Sequence, residues 1–311
     1  MNRNRTYWGF VALAVVAVSM AFVACDNDDD RYDMPSDVVW RSSGKAAGAI
    51  VTTPFDERIE VPARKSGNTF VAHTVQFGGH EVMNFCVEYD PERMHSRWVA
   101  FRFDGDTRQR NVSRSNEPFA DDPQLPSSMR IGSGTFGWPY SRGHLVASAD
   151  RLFSQEANEQ TFYMSNMSPQ ISNFNAPYWS RLENIVQNHG HNASFADTLY
   201  VVKGGYIDDD MDLLGWQVRG NGKNVAVPGH YFMALLRVKG STYNSIAFWI
   251  EHKDYGYDDD ATVPKTAFQD NHQIVSVDEL EQLTGIDFFH NLPDDIESKV
   301  EAEYSVGLWM N

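Results

Sequence analysis

Tyr140-Ser141-Arg142-Gly143-His144-Leu145, Asn166-Met167-Ser168-Pro169-Gln170 and the run from Asn175 through Trp179 and Leu182 to Glu183 decide the reading of this chain. They bring a histidine, an arginine, an amide and a carboxylate into two compact blocks. Those chemistries serve an activated attack on a phosphodiester: a base for water, cations for developing charge, and help for the leaving oxygen. Histidine is the side chain whose ordinary pKa suits base work near neutrality. Gly143 permits close backbone approach, and Arg142 is a bidentate phosphate partner. Asn175 falls near an expected helix start, with Glu183 a little over two turns further along nearly the same face. A neutral amide oxygen suits Mg²⁺, which keeps most of its waters, and Glu183 would hold one of those waters. Taken singly, each block also fits a plainer pattern: a turn with a satisfied histidine, and an N-cap asparagine before an exposed helix glutamate.

Around these blocks the chain alternates strand-like and helix-like stretches. Phe70–Val75, Val82–Tyr89 and Trp98–Phe103 are β-branched and aromatic runs bounded by turn formers. Residues 104–139 read as one long loop, a length that usually carries function. Ser154 is placed to cap a short helix toward Thr161, followed by an extended Phe162–Met164. A second helix is expected from Asn175, with Pro177 in its first turn and Trp179, Leu182, Val186 and His189 at helical spacing. Thr198–Ile207, Val225–Val238 (interrupted at Pro228-Gly229) and Ser245–Glu251 read as strands. Ser276-Val277-Asp278-Glu279 is a capping box whose helix Gly285 would end, and a last amphipathic stretch runs from Asp294 to about Tyr304. The order implies an α+β fold with antiparallel pairing.

The two blocks resemble the signature of the DNA/RNA non-specific endonucleases, the ββα-metal class that includes Serratia-type nuclease and endonuclease G. That family has Asp-Arg-Gly-His, then Asn-Met-x-Pro-Gln, then Asn before a Trp and Leu-Glu. Weaker likeness extends over Trp98–Phe101, Arg114 with Phe119 to Pro123, Val225–Tyr231 and Leu283–Phe289. The resemblance implies a central antiparallel sheet flanked by helices. It implies His144 as general base, Asn175 as the one protein ligand of Mg²⁺ (with Mn²⁺ as an alternative), and Glu183 orienting a metal-bound water. Arg142 and Arg114 would stabilise the phosphate, with Asn166 shaping the site. DNA and RNA would be the substrates, cut without sequence specificity to leave a 5′-phosphate. Two positions depart from the pattern: Ser141 stands where the family has Asp, and Ala147 where it has Pro. Ser141 keeps open a second reading, a catalytically weakened nuclease-fold lipoprotein that acts as a binding module on the cell envelope.

Composition narrows the context. The 311 residues carry a formal net charge of −16, which excludes a protein that holds nucleic acid by bulk electrostatics. Between Arg102 and Arg151 basic residues slightly outnumber acidic ones, so the region leading into the site is locally neutral. Arg3 and Arg5 precede an uncharged apolar run from Trp8 to Ala24, ending at Phe22-Val23-Ala24-Cys25. These are signal-peptide features, and the cysteine resembles that of a bacterial lipobox. The expected organisation is a lipoprotein signal over 1–24 with Cys25 lipidated, an acidic and polar tether over 25–65, and a nuclease domain over 66–311. An uncleaved anchor or ordinary secretion fits the same run. The implied location is the cell envelope, as an outer-membrane lipoprotein facing the periplasm or the surface. Asp26–Asp30 resembles a surface-export signal and equally fits a plain polar tether. Cys86 is the only cysteine left after Cys25, so no intrachain disulfide follows.

Rival metal patterns are weaker. His189-Gly190-His191 has no further ligand at zinc spacing and reads as a helix end with exposed histidines. The Asp208–Asp212 and Asp258–Asp260 runs lack the glycine and closing Glu of a calcium loop and read as solvated turns. Tyr255-Gly256-Tyr257 fits a base-stacking platform or a hairpin tip.

Overall fold

The protein is described by a computed structural model covering residues 50, 52–116 and 118–310. The signal segment, Cys25 and most of the tether lie outside the described residues. Among the described residues, eleven strands and six helices follow in chain order. The strands are β1 (Thr69–Phe77), β2 (His80–Asp90), β3 (His95–Phe103), β4 (Tyr140–His144), β5 (Met167–Ile171), β6 (Thr198–Gly205), β7 (Gly215–Val218), β8 (Asn224–Val227), β9 (His230–Lys239), β10 (Thr242–Glu251) and β11 (Ile274–Val275). The helices are α1 (Gln155–Gln160), α2 (Ser180–Gly190), α3 (Ala267–Asp270), α4 (Val277–Thr284), α5 (Asp294–Val300) and α6 (Val306–Met310).

One seven-stranded sheet runs β1-β2-β3-β6-β9-β10-β11, and every pairing in it is antiparallel. Alternation puts Val99, Phe101, Val201, Met233 and Leu235 on the face that receives Trp179, Leu182, Ile185 and Val186 at the start and along the inner side of α2. On the opposite face Phe232 meets Phe288, which follows α4, at 5.8 Å between ring centroids. The sheet is therefore covered on both sides.

β3 and β6 are sheet neighbours, yet the chain between them makes an excursion of more than ninety residues. That excursion carries the β4-β5 hairpin, α1 and α2. Its long loop is fastened by Asp122, whose buried carboxylate meets His73 Nε2 on β1 at 3.0 Å and accepts a hydrogen bond from Ser165 Oγ at 2.5 Å. Burial opposes the charge, but His73 and these hydrogen bonds hold the Asp122 carboxyl below its usual range.

The expected strands and the Ser154 and Ser276 caps are present, and Gly285 ends α4 in the left-handed conformation at φ 63°. Four local expectations change. Phe162–Met164 is extended only at Tyr163, which bridges Ala120 between a turn and a 3₁₀ segment, and the regular strand begins at Met167. The second helix does not start at Asn175: Phe174–Trp179 forms a wider helical turn, broken at Ala176 (φ −135°, ψ 121°), and regular α-helix begins at Ser180. His189 and His191 are half-buried rather than exposed, one bonded to the Trp309 carbonyl and the other to those of Arg108 and Ala149. The Asp208–Asp212 turn is likewise more than solvated: Asp208 pairs with Arg97 at 2.7 Å, Asp210 with Arg93 and Asp212 with His230.

Candidate active site

The β4-β5 hairpin sets the site, with Ser141 opposite Gln170, Gly143 opposite Ser168 and His144 opposite Met167. Alternation divides its residues by face. Arg142 and His144 share the side of the long loop and its continuation. There the Arg142 guanidinium lies 3.7 Å from the Phe119 ring centroid and donates to the Ser133 carbonyl at 2.9 Å. The His144 ring sits 5.7 Å from Phe119 and 5.2 Å from Phe162, and the exposed Arg114 covers Phe162 at 5.1 Å. Phe119 and Phe162 thus form an apolar floor that holds two guanidinium groups beside the imidazole. Arg219, which sequence reasoning did not single out, braces the same wall through the carbonyls of Ile131, Gly132, Gly134 and Thr135.

His144 is partly open to solvent, but its Nε2 is buried without a hydrogen-bond partner. Burial, then the positive charges of Arg114, Lys203 and Arg142, pushes its pKa down to about 3. The ring is therefore neutral at pH 7, the state a proton acceptor needs.

Ser141 and Gly143 occupy the other side of the strand. A Cβ at Gly143 would lie 1.9 Å from Gln170 Oε1, so only glycine lets that amide pack across the hairpin. Asn175 Nδ2 donates to Ser141 Oγ at 3.0 Å, and the hydroxyl donates onward to the Gln170 carbonyl at 3.2 Å. This fixes the amide through its nitrogen and leaves its carbonyl oxygen without a protein donor among the described residues. A hard cation takes such an oxygen, so the donor set fits a metal held by one protein ligand. Ser141→Ala is expected to release the Asn175 amide. The metal concentration for half-maximal cleavage should rise about 10-fold or more with little change in Tm; an unchanged metal titration would refute the positioning role.

Glu183 does not share a helical face with Asn175, because Ala176 interrupts the helix between them. It is buried instead against Lys203 Nζ at 3.2 Å, and the same ammonium meets Asp150 Oδ2 at 2.9 Å. No hydrogen bond links His144 to Asn175 or to Glu183 among the described residues. Lys203 is the connection, since its charge acts on His144 as well. Sequence reasoning missed it, though a lone lysine inside Leu199-Tyr200-Val201-Val202-Lys203-Gly204 was a visible sign of a buried ion pair. Asn166 spends its side chain on the backbone, accepting from Val146 N at 2.8 Å and donating to the carbonyls of Val146 and Thr161 at 2.9 and 2.8 Å. It positions the chain leaving His144 and presents nothing to a substrate.

A hairpin bearing the histidine, an asparagine on the following turn and a helix packed on an antiparallel sheet make up the ββα-metal nuclease fold. A family model described as DNA/RNA non-specific endonuclease matches residues 66–295, and the chain belongs to that family. The chain is 29% identical over 266 residues to the mitochondrial nuclease of Saccharomyces cerevisiae, covering 78% of each protein. It is 29% identical over 224 residues to the human mitochondrial nuclease EXOG. That match spans 67% of this chain and 56% of the relative, so the chain covers little more than half of the human protein. A solved structure of an EndoG/EndoGI complex superposes with a TM-score of 0.53 at 20% identity, over 72% of this chain and 88% of that one, which is agreement in fold.

Proposed function

We propose that the protein is a divalent-metal-dependent endonuclease that hydrolyses phosphodiester bonds of DNA and RNA without sequence specificity. The observation that carries this reading is a neutral His144 beside Arg142 and Arg114, on a hairpin whose Ser141 holds Asn175 with its carbonyl oxygen free. His144 takes the proton of the attacking water as general base. Arg142 and Arg114 receive the phosphate oxygens, held in place by Phe119 and Phe162, and their charge grows in value as negative charge develops on phosphorus. An arriving phosphate also offsets the cations that depress His144, raising its basicity when a substrate is present. Asn175 is the residue that would hold Mg²⁺ or Mn²⁺, and Glu183 would accept a hydrogen bond from a water there. When bound, such a cation would supply Lewis-acid stabilisation to the departing oxygen, and the family resemblance implies departure of the 3′ oxygen and a 5′-phosphate product. Phosphate contacts without base contacts account for the absence of sequence preference.

Digestion of plasmid DNA and of RNA by the purified full-length protein tests the reading. Cleavage with Mg²⁺ that disappears in EDTA supports it. No cleavage across Mg²⁺, Mn²⁺ and Ca²⁺, with nucleic acid still bound, would replace it by the binding module that a neutral Ser141 also permits.

We further propose that Cys25 carries a lipid and that the enzyme works on the cell envelope, facing the periplasm or the surface. The charged start, the apolar run and the small residues before Cys25 support this. Cys25→Ser is expected to move the protein from the membrane to the soluble fraction; unchanged membrane retention would contradict lipidation there.

A further inference from the structure

Away from the hairpin, on the opposite face of the sheet, three carboxylates converge where the end of α5 meets α4. Asp278 stands in the first turn of α4, Glu281 one turn further on, and Glu301 caps the end of α5. The two helices are joined there by the backbone, Asp278 N donating to the Glu301 carbonyl at 3.1 Å. One oxygen from each of the three side chains lies within 4.8 Å of the other two. Glu301 is only 4% exposed, and its Oε1 accepts no hydrogen bond. A buried carboxylate oxygen without a donor, facing two further carboxylates, lacks the positive partner that burial of charge demands.

We propose that Asp278, Glu281 and Glu301 form a calcium site that ties α4 to α5. The ligand chemistry is all hard oxygen, which selects Ca²⁺, Mg²⁺ or Mn²⁺ over zinc and copper. Ca²⁺ takes six to eight such oxygens in flexible geometry, whereas Mg²⁺ demands a near-ideal octahedron and gives up its waters reluctantly, so three carboxylates from two helices suit calcium. Waters complete the shell on the half-exposed side of Asp278 and Glu281. The cluster's electrostatics agree with the geometry. Burial first, then Glu281, Glu297, Asp278 and Asp287, pushes the Glu301 carboxyl up to about 9. Burial likewise lifts Glu281 to about 7, partly offset by the hydrogen bond it accepts from Phe288 N at 2.7 Å. Such a cluster is held together by a proton or by a cation, and millimolar calcium outside the cytoplasm is enough for a three-carboxylate site.

The test is thermal unfolding of the full-length protein at neutral pH, stripped with EDTA and returned to about 10 mM CaCl₂. The wild type should gain about 3 °C or more in Tm, and Asn175→Ala should gain as much, since its lesion lies at the other site. Glu301→Gln and Asp278→Asn should abolish the gain while Mg²⁺-dependent cleavage stays within twofold of wild type. Asp278 is half-exposed, so its variant keeps the test decisive if the buried Glu301→Gln fails to fold. An equal gain in the variants, or no gain in the wild type, would overturn the proposal. In the latter case the carboxyl groups share protons instead.

Discussion

His144→Ala is expected to lower Mg²⁺-supported cleavage of plasmid and RNA by about 10²–10⁴-fold, the usual contribution of a positioned general base. Binding of uncleaved nucleic acid should change little, because Arg142 and Arg114 keep their seats on Phe119 and Phe162. The pH dependence gives a readout that a merely structural histidine would not move. In the free protein His144 is held down to about 3, so the acid limb it imposes on kcat/KM should lie well below the ordinary histidine range. Stability carries the same signature with a definite sign. The unfolded chain takes up the imidazole proton near pH 6.5, while the folded chain refuses it until about 3. Wild-type stability is therefore lost through this group as pH falls across that window. His144→Ala removes the group, so its urea midpoint should fall less than that of wild type between pH 7 and pH 4. Parallel midpoints for the two proteins would show that the ring is not held neutral.

The strands at the start of the sheet were readable because β-branched and aromatic runs bounded by turn formers mark them, and Phe70, Val82 and Trp98 each begin such a run; β2 and β3 are buried almost throughout, so the sheet is covered on both faces there. The Ser276 box and Gly285 declared both ends of α4 by local chemistry alone. The hairpin strand β4 was not readable as a strand: Ser141-Arg142-Gly143-His144 has no apolar alternation, since its side chains serve the site instead of the core. The likeness to a family nevertheless pointed to His144, Asn175 and Glu183 by position. What it did not reveal was how they are held. The break at Ala176 depends on backbone conformation that an Asn-Ala-Pro sequence permits without announcing. The Lys203 contacts join β6 to residues on the 3₁₀ turn after β4 and on α2, far apart in sequence. A pattern read along the chain sees the odd lysine in an apolar strand, but not the partners it is buried for.

Those partners make Lys203→Met the substitution with the largest expected effect on stability. The ammonium is fully buried, 2.9 Å from Asp150 and 3.2 Å from Glu183, with the ring of Phe101 at 5.4 Å. Burial works against its charge, and the two carboxylates more than compensate, raising its pKa. One cation cannot neutralise two acids, and the shortfall falls on the more distant one. Burial, together with Asp150, raises Glu183 to about 7 even though Lys203 opposes the rise. Methionine fills the volume but leaves Asp150 and Glu183 facing each other without a counter-charge. Breaking a buried pair in this way costs about 3–5 kcal/mol, which urea unfolding at pH 7 would read as a lower midpoint at similar slope. The sign with pH follows from the raised Glu183 carboxyl. The folded state binds a proton there that the unfolded state has already lost, so this group's penalty grows as pH rises above about 4.3. Lowering the pH from 7 to 5 should therefore recover part of the loss in Lys203→Met. Adding Glu183→Gln to the variant should recover more of it at pH 7, because a neutral amide removes one of the two uncompensated charges. A deficit that is the same at both pH values and in the double variant would mean that packing around Phe101, not the charge balance of the triad, is what Lys203 supplies.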